Sequence, residues 1–183
     1  MKLKAFVLAM FVFFAGAACA GAAEVAVTSI GQSSDGMMVR VILKSLKIPA
    51  DFDAVMKPDA LKDQKVLIAV VGGSSKGLGA AGINKEDEMK RGVELCKAAE
   101  KKGVKILMMH IGGEGRRGTL SDFFITNAIP KGDALILVDG ANKDKLFDGL
   151  VKAKKAKIYT APNVNGTKEP LKTVLAGWGV SAK

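Results

Sequence analysis

The stretch "KVLIAVVGGSSKGLGAAG", Lys65 to Gly82, decides the fold of this chain. It opens with an apolar run in which polar residues do not alternate, as expected of a strand covered on both faces of a sheet. A segment rich in glycine and serine follows at once and must turn the chain at the end of that strand. A buried strand leading into such a loop is typical of parallel α/β sheets, whose ligands bind beyond the carboxyl ends of the strands.

Comparable apolar runs recur on both sides of this stretch. The further predicted strands are Glu24 to Ile30, Phe52 to Met56, Lys105 to Ile111, Asp133 to Val138 and Lys157 to Ala161. Helical patterns begin after Asp35 and after Asn84, and others cover residues 120–128, 143–154 and 168–177. This alternation predicts a three-layer α/β sandwich with a doubly wound, mostly parallel sheet of about six strands in the flavodoxin-like order 2-1-3-4-5-6.

The first 23 residues have the layout of a secretory signal peptide. Lys2 and Lys4 form a basic head, Ala5 to Phe14 is an uncharged apolar run, and the small residues "AGAACAGAA" follow. The apolar run is shorter than the about 20 residues that a membrane span needs, which disfavours a retained anchor. We therefore expect cleavage between Ala20 and Ala23, a single domain over residues 24–183, and a periplasmic or extracellular product with no stable membrane span.

The mature chain would be basic and would have one cysteine. Removing Lys2 and Lys4 leaves 26 basic against 18 acidic side chains, a net charge near +8, which suits anionic solutes or envelope polymers. The lysines lie on helix faces with few aromatic residues among them, so we predict no nucleic-acid binding. Cys96 shares a helical face with Met89, Val93 and Ala99, which indicates a small buried residue.

Glycine, serine and charged residues cluster after the predicted strands. The segments are "GQSSD" (31–35), "GGSSKGLGAAG" (72–82), "GGEGRRG" (112–118) and "DGANKD" (139–144). Their repetition predicts a floor of exposed backbone amides that could receive an anion.

The segment "GLGAAG" (77–82) matches the G-x-G-x-x-G fingerprint of dinucleotide sites, but its context does not. The pattern belongs on a first strand and at a helix start, whereas this is the third strand and the helix is predicted to begin only near Lys85. The next strand ends at His110 instead of an acidic residue, and Asn163 replaces the lysine of a Tyr-x-x-x-Lys pair at Tyr159. Flavin mononucleotide is the better cofactor candidate, since "SIGQSSD" loosely resembles the phosphate loop of flavodoxins. Flavodoxins are acidic and rich in ring-stacking aromatics, however, so we predict no cofactor.

The segment "HIGGEGRRGTLSD" (110–122) contains more charged and titratable side chains than the other loop segments. Arg116 and Arg117 can bind a carboxylate or phosphate, and His110 can orient a ligand or transfer a proton. The structural alternative is that the arginines pair with Glu114 or Asp122. A triad of His110, Asp139 and a loop serine can be drawn, but no G-x-S-x-G elbow supports it. One histidine and no paired carboxylates exclude the usual zinc sets.

Together, "TSIGQSSD", "VVGGSSKGLGAAG" and "MHIGGEGRRG" resemble a family of secreted bacterial domains with no assigned activity. The resemblance covers most of the mature chain and implies one shared site formed by Gln32, Ser33, Ser34, Asp35, Ser74, Ser75, Lys76, His110, Glu114, Arg116 and Arg117. With the loop glycines Gly73, Gly77 and Gly113, these are the predicted ligand-binding residues.

Three functions remain open at this point. The first is an exported binding protein for a small anionic solute, which with one lobe would need a homodimer or a transporter partner. The second is an envelope hydrolase that uses His110 with a loop serine. The third is a module that binds anionic envelope polymers through its lysines.

Overall fold

The computed structural model describes residues 23–182, which contain six strands and six α-helices. The strands are β1 (Val25–Ile30), β2 (Ala50–Phe52), β3 (Val66–Val71), β4 (Lys105–His110), β5 (Ala134–Val138) and β6 (Lys157–Ala161). The helices are α1 (Asp35–Ser45), α2 (Ser75–Ala81), α3 (Lys85–Lys101), α4 (Thr119–Ala128), α5 (Leu146–Leu150) and α6 (Lys168–Gly177). Every strand pair is parallel and the order is β2-β1-β3-β4-β5-β6, which confirms the predicted topology. The predicted signal peptide lies almost wholly outside the described residues.

The two neighbouring strands β1 and β3 are buried along their whole length. Their side chains alternate between two cores, one beneath α2 to α5 and the other beneath α1 and α6. Both faces therefore need apolar residues, which explains why these runs show no polar alternation. The register pairs Ile30 with Val71, so both strands end at the same level and their loops start side by side.

α3 starts and packs as predicted. Asn84 Oδ1 accepts a hydrogen bond from the Asp87 amide at 2.8 Å and so caps the helix. Cys96 is fully buried, and this burial raises the pKa of its thiol to about 12. The thiol therefore stays protonated and behaves as a small apolar group. Within residues 23–182 no helix is long and apolar enough to span a membrane.

Two predicted elements are displaced by side chains that bond to the main chain. The second strand covers residues 50–52 instead of 52–56, because Asp53 Oδ1 accepts the Val55 amide at 2.9 Å and turns the chain. The helix predicted over 143–154 is limited to Leu146–Leu150. Asn142 Oδ1 accepts the Phe147 amide at 3.0 Å, and this bond holds the preceding residues as a loop.

The prediction that helix formation resumes only near Lys85 is wrong, because α2 begins ten residues earlier. Ser74 caps it, with its Oγ accepting the Gly77 amide at 3.0 Å. The glycines within α2 lower its helix propensity, but the cap and the buried Leu78 offset this. Strand β3 therefore does lead directly into a helix, and one of the arguments against a dinucleotide site fails. The arguments from strand position, His110 and Asn163 are unaffected.

A buried ion pair on α3 fixes the carboxyl end of β1. Glu88 is fully buried and receives two bonds from Arg91, with Nε and Nη2 each 2.8 Å from a carboxylate oxygen. Glu88 Oε1 also accepts the Gly31 amide and Gln32 Nε2, both at 2.9 Å. Arg91 donates further to the carbonyls of Ser29 and Met56, the latter at 2.8 Å. The pair thus ties α3 to β1 and to the loop after β2.

Replacing Arg91 with Ala should destabilise the protein strongly. The change leaves the Glu88 carboxylate buried without its cation, and breaking one side of a buried pair costs about 3–5 kcal/mol. Urea unfolding followed by circular dichroism measures the loss. The neighbouring exposed Lys90→Ala is the matched control and should change the free energy of unfolding by less than about 0.5 kcal/mol. Equal effects of the two changes would contradict the role given to the pair.

Candidate functional site

The loops after β1 and β3 meet at the point where the strand order reverses. The Ser33 amide donates to Gly72 O at 3.1 Å, and the Ser74 amide donates to Gly31 O at 2.9 Å. The amides of Gly31, Gly72, Gly73 and Gly77 likewise donate to groups of the protein. The predicted floor of free amides therefore does not form at these positions, and any ligand must be held mainly by side chains.

Gln32 turns into the protein instead of outward. Its backbone is left-handed, with φ of 60°. Its side-chain Nε2 donates to Ala54 O at 2.8 Å and also to Glu88. The start of α2 packs directly against its carbonyl, since a Cβ placed on Gly77 would stand 1.9 Å from Gln32 O. Gly77 thus permits a close backbone approach, and both residues shape the loop.

Ser33, Asp35 and Arg116 form a polar cluster at this switch point. Ser33 and Asp35 are almost completely buried, and neither Ser33 Oγ nor Asp35 Oδ2 has a hydrogen-bond partner. Asp35 Oδ1 lies 3.4 Å from Arg116 Nη2, a long contact beside the 2.7–2.9 Å typical of charge-assisted bonds. Two buried polar atoms without hydrogen-bond partners, Ser33 Oγ and Asp35 Oδ2, therefore lie near the weakly held guanidinium of Arg116.

Glycines on two loops make room for the Arg116 stem. A Cβ on Gly72 would stand 3.0 Å from Ser33 Oγ and 3.4 Å from Arg116 Cγ. A Cβ on Gly112 would overlap Arg116 Cβ at 2.3 Å. Arg116 thus passes over both glycines to reach Asp35, and its side chain remains 36% exposed. It is the one arginine of the pair that can move without breaking a strong bond.

Arg117 is fully engaged as a brace. It donates to Asp122 at 2.7 and 3.2 Å, to Asp144 at 2.8 and 3.1 Å, and to Ala141 O. Its guanidinium also stacks 5.5 Å from the centre of the Phe147 ring. These bonds raise the pKa of Arg117 and lower the pKa of both carboxyls, that of Asp144 to about 2. Arg117 therefore holds the loop after β4 to the loop after β5.

His110 lies beneath the loops and is fully buried. Its Nδ1 is 2.9 Å from Val71 O and its Nε2 is 3.4 Å from the carbonyl of Gly113, a glycine with φ of 60°. Burial lowers the pKa of the imidazole, although both carbonyls act in the opposite direction. A neutral ring can donate only one proton, and the shorter bond assigns it to Nδ1.

The remaining predicted residues surround this cluster at the surface. Ser34, Ser75, Lys76 and Glu114 are exposed, and Glu114 pairs with Lys143. Gly73 faces α4, where its amide donates to Ser121 Oγ at 3.0 Å, and Ser74 caps α2. A shallow depression of about 300 Å³ runs from Gly73 and Ser75 past Arg116 to the start of α4. No cluster of metal-binding side chains occurs within the described range 23–182.

The sequence missed the residues that hold the loops in place. Glu88 and Arg91 occupy the same helical face as the buried Leu95 and Ala99, and two charges on an apolar face were the available signal. Asp122 was considered as a partner for the arginines, and the structure pairs it with Arg117 alone. Asp144 could not be found from the sequence, because it lies 27 residues from Arg117.

Arg117→Ala and Arg116→Ala should differ sharply in stability. The first removes several charge-assisted bonds and should lower the free energy of unfolding by about 1–3 kcal/mol. The second removes one long contact, although it leaves the buried Asp35 carboxyl without its cation, and should lower the free energy of unfolding by less than the first. Thermal unfolding of both variants beside the wild type checks this, and a more damaging Arg116→Ala would show that Arg116 is also a brace.

Stability should fall on acidification below pH 6.5, the ordinary pKa of histidine. The folded pKa of His110 is lower, so between the two pKa values only the unfolded chain binds the proton and stability rises with pH. The slope cannot exceed about 1.4 kcal/mol per pH unit. Urea unfolding between pH 5 and 7 measures it, and His110→Asn should flatten the profile in that window. A slope unchanged in the variant would assign the effect to other groups.

Comparison with known proteins identifies one family that this chain resembles. A search of curated proteins and a search of solved structures each found no match. The model of one family, described as a domain of unknown function (DUF6305), matches residues 22–175. That range holds all six strands, the loops that follow them and the cluster of Ser33, Asp35 and Arg116. The chain therefore belongs to the DUF6305 family, a family of domains of unknown function.

Proposed function

We propose that this chain is an exported single-domain binding protein for a small anionic solute, held by the loops after β1, β3 and β4. One observation carries the proposal: Ser33 Oγ and Asp35 Oδ2 are buried without a partner next to a weakly held Arg116. A buried polar atom without a partner costs about 1–3 kcal/mol, and native structures contain few of them. Two such atoms at the switch point of a parallel sheet are best explained by a ligand that completes them.

The chemistry of the three side chains narrows the ligand further. Arg116 offers donors to a carboxylate or phosphate, whereas Asp35 accepts and would repel a simple anion. The ligand should therefore carry an anionic group for Arg116 and a hydroxyl or ammonium group for Asp35. Hydroxy acids and amino acids combine the two. The Arg116 side chain must swing aside to admit such a ligand, and its long contact with Asp35 makes that movement inexpensive.

The other functions have less support from the site. A hydrolase would need a serine hydroxyl hydrogen-bonded to His110, but in the described part of the chain both ring nitrogens face main-chain carbonyls. Flavin mononucleotide would need free loop amides for its phosphate, and six loop amides are already bonded, those of Gly31, Ser33, Gly72, Gly73, Ser74 and Gly77. A polymer-binding module would use the surface lysines and leave the orphaned pair unexplained.

Two measurements test the proposal directly. Native mass spectrometry of the protein purified from its own host should show a retained small molecule. A thermal-shift screen should show stabilisation by hydroxy acids or amino acids and little effect of sulfate or phosphate. Stabilisation by phosphate alone would overturn the role of Asp35. No retained mass and no stabilising compound would overturn the proposal.

Arg116→Ala should weaken binding of the compound found in that screen by about tenfold or more, since a charge-assisted bond contributes about 1.5–3 kcal/mol. Isothermal titration calorimetry measures the affinity, and the melting temperature should fall by less than it does in Arg117→Ala. Lys97→Ala, which removes one exposed cation on α3, is the control and should bind as the wild type does. Equal loss in both variants would indicate general charge attraction instead of a local site.

A further inference from the structure

The outward face of α1 carries three apolar side chains that remain about half exposed to solvent in the described chain. Met37 and Met38 are each 46% exposed and Val41 is 61% exposed. The opposite face of the same helix packs Val39, Ile42 and Leu43 into the core. An amphipathic surface helix normally directs polar residues to solvent, so apolar side chains on the outer face point to a partner.

Basic side chains lie beside these apolar ones. Arg40 and Lys44 are four residues apart on α1, Lys47 follows the end of the helix, and all three line one groove. Among residues 23–182 no carboxylate lies within 4.0 Å of their nitrogens. Arg40 instead lies over the Phe52 ring, 5.7 Å from its centre. These cations are free to meet an external anion.

Lys47 occupies a position where glycine would be more stable. It follows the end of α1 with φ of 56°, and the Ile48 amide donates to Leu43 O at 3.0 Å, the arrangement of a Schellman motif. A side chain in this left-handed conformation carries a steric cost that glycine avoids. The turn therefore does not require a lysine, and replacing Lys47 with glycine removes its charge without straining the backbone.

Two open grooves lie on either side of the exposed row formed by Met37, Met38 and Val41. One of about 740 Å³ lies between this row and the turn at Ile48 and Pro49, and one of about 340 Å³ lies towards Val164 and Asn165. Because both grooves are open to solvent, a small ligand bound in either of them would keep most of its surface in water. The surface thus suits an extended partner.

We propose that this α1 outer face (Met37, Met38, Arg40, Val41, Lys44 and Lys47) binds the surface of an anionic lipid bilayer. A second copy of the chain would oppose like charges across the contact. Three exposed apolar residues fall far short of the about 20–30 residues per side of a stable protein interface. A bilayer needs only a few inserted apolar side chains together with basic residues that meet its headgroups. The net charge, near +8 without Lys2 and Lys4, adds long-range attraction to such a surface. This proposal is independent of the solute site.

Co-sedimentation of the purified protein with vesicles tests it. Binding is expected to vesicles of phosphatidylcholine and phosphatidylglycerol in equal parts, but not to phosphatidylcholine alone. Met38→Ser with Val41→Ser should weaken binding about fivefold or more, although it removes no charge. Lys47→Gly should also weaken binding while the melting temperature stays the same or rises. Weaker binding together with unchanged or greater stability is not expected if Lys47 has only a structural role.

A matched control separates this face from general charge attraction. Lys90, Lys97 and Lys101 are exposed on α3, which covers the other face of the sheet. Changing these three to Ala removes as much charge as changing Arg40, Lys44 and Lys47. The proposal requires the α1 triple variant to lose far more binding than the α3 triple variant. Equal losses, or unchanged binding by the double serine variant, would overturn it. Absent vesicle binding together with capture of an acidic amphipathic peptide would assign the face to a protein partner instead.

Discussion

The ion pair between Glu88 and Arg91 is the constraint on which the candidate site depends. It lies beneath the loop after β1, and its bonds use the Gly31 amide, the Gln32 side chain and the Ser29 carbonyl. A buried charge pair adds little net stability compared with apolar packing, but it imposes one geometry because every alternative leaves a charge unpaired. The loop is thereby fixed with Gln32 turned inward. The next residues, Ser33 to Asp35, must then lie beside Gly72.

The adjacent arginines of the loop after β4 show how partners decide the role of a residue type. Arg117 meets two aspartates, a carbonyl and an aromatic ring, so its position is fully determined. Arg116 meets one carboxylate at long range over two glycines that offer no side chain to hold it. Of these two adjacent arginines, Arg117 therefore holds the loops together and Arg116 is the candidate hydrogen-bond donor to a ligand. The brace matters to the donor, since Arg117 fixes the backbone from which Arg116 extends.

The sequence predicted the strand order and the meeting of the three loops, because both follow from continuous apolar runs and from where parallel strands end. It missed α2, since two glycines within seven residues lower helix propensity and the compensating local cap, Ser74 on the Gly77 amide, was not recognised. It also read Arg116 and Arg117 as equivalent, because the partners of Arg117 include Asp144, which only the folded chain brings near. Ser33 and Asp35 were predicted site residues, but their burial without partners depends on packing that no local pattern encodes.

Helix α1 links the two proposals through its geometry. Its first residue, Asp35, belongs to the polar cluster, and Met37 and Met38 follow within the same turn on the outer side. A bilayer against the outer face would therefore lie beside the switch point of the sheet. The inner face of α1 packs rigidly on the core, so contact at the outer face need not move Asp35. Arg116 is the exposed member of the cluster but does not belong to the α1 outer face, where Arg40, Lys44 and Lys47 would meet the headgroups. The two proposals therefore use different cations, and any coupling between them would be electrostatic instead of conformational.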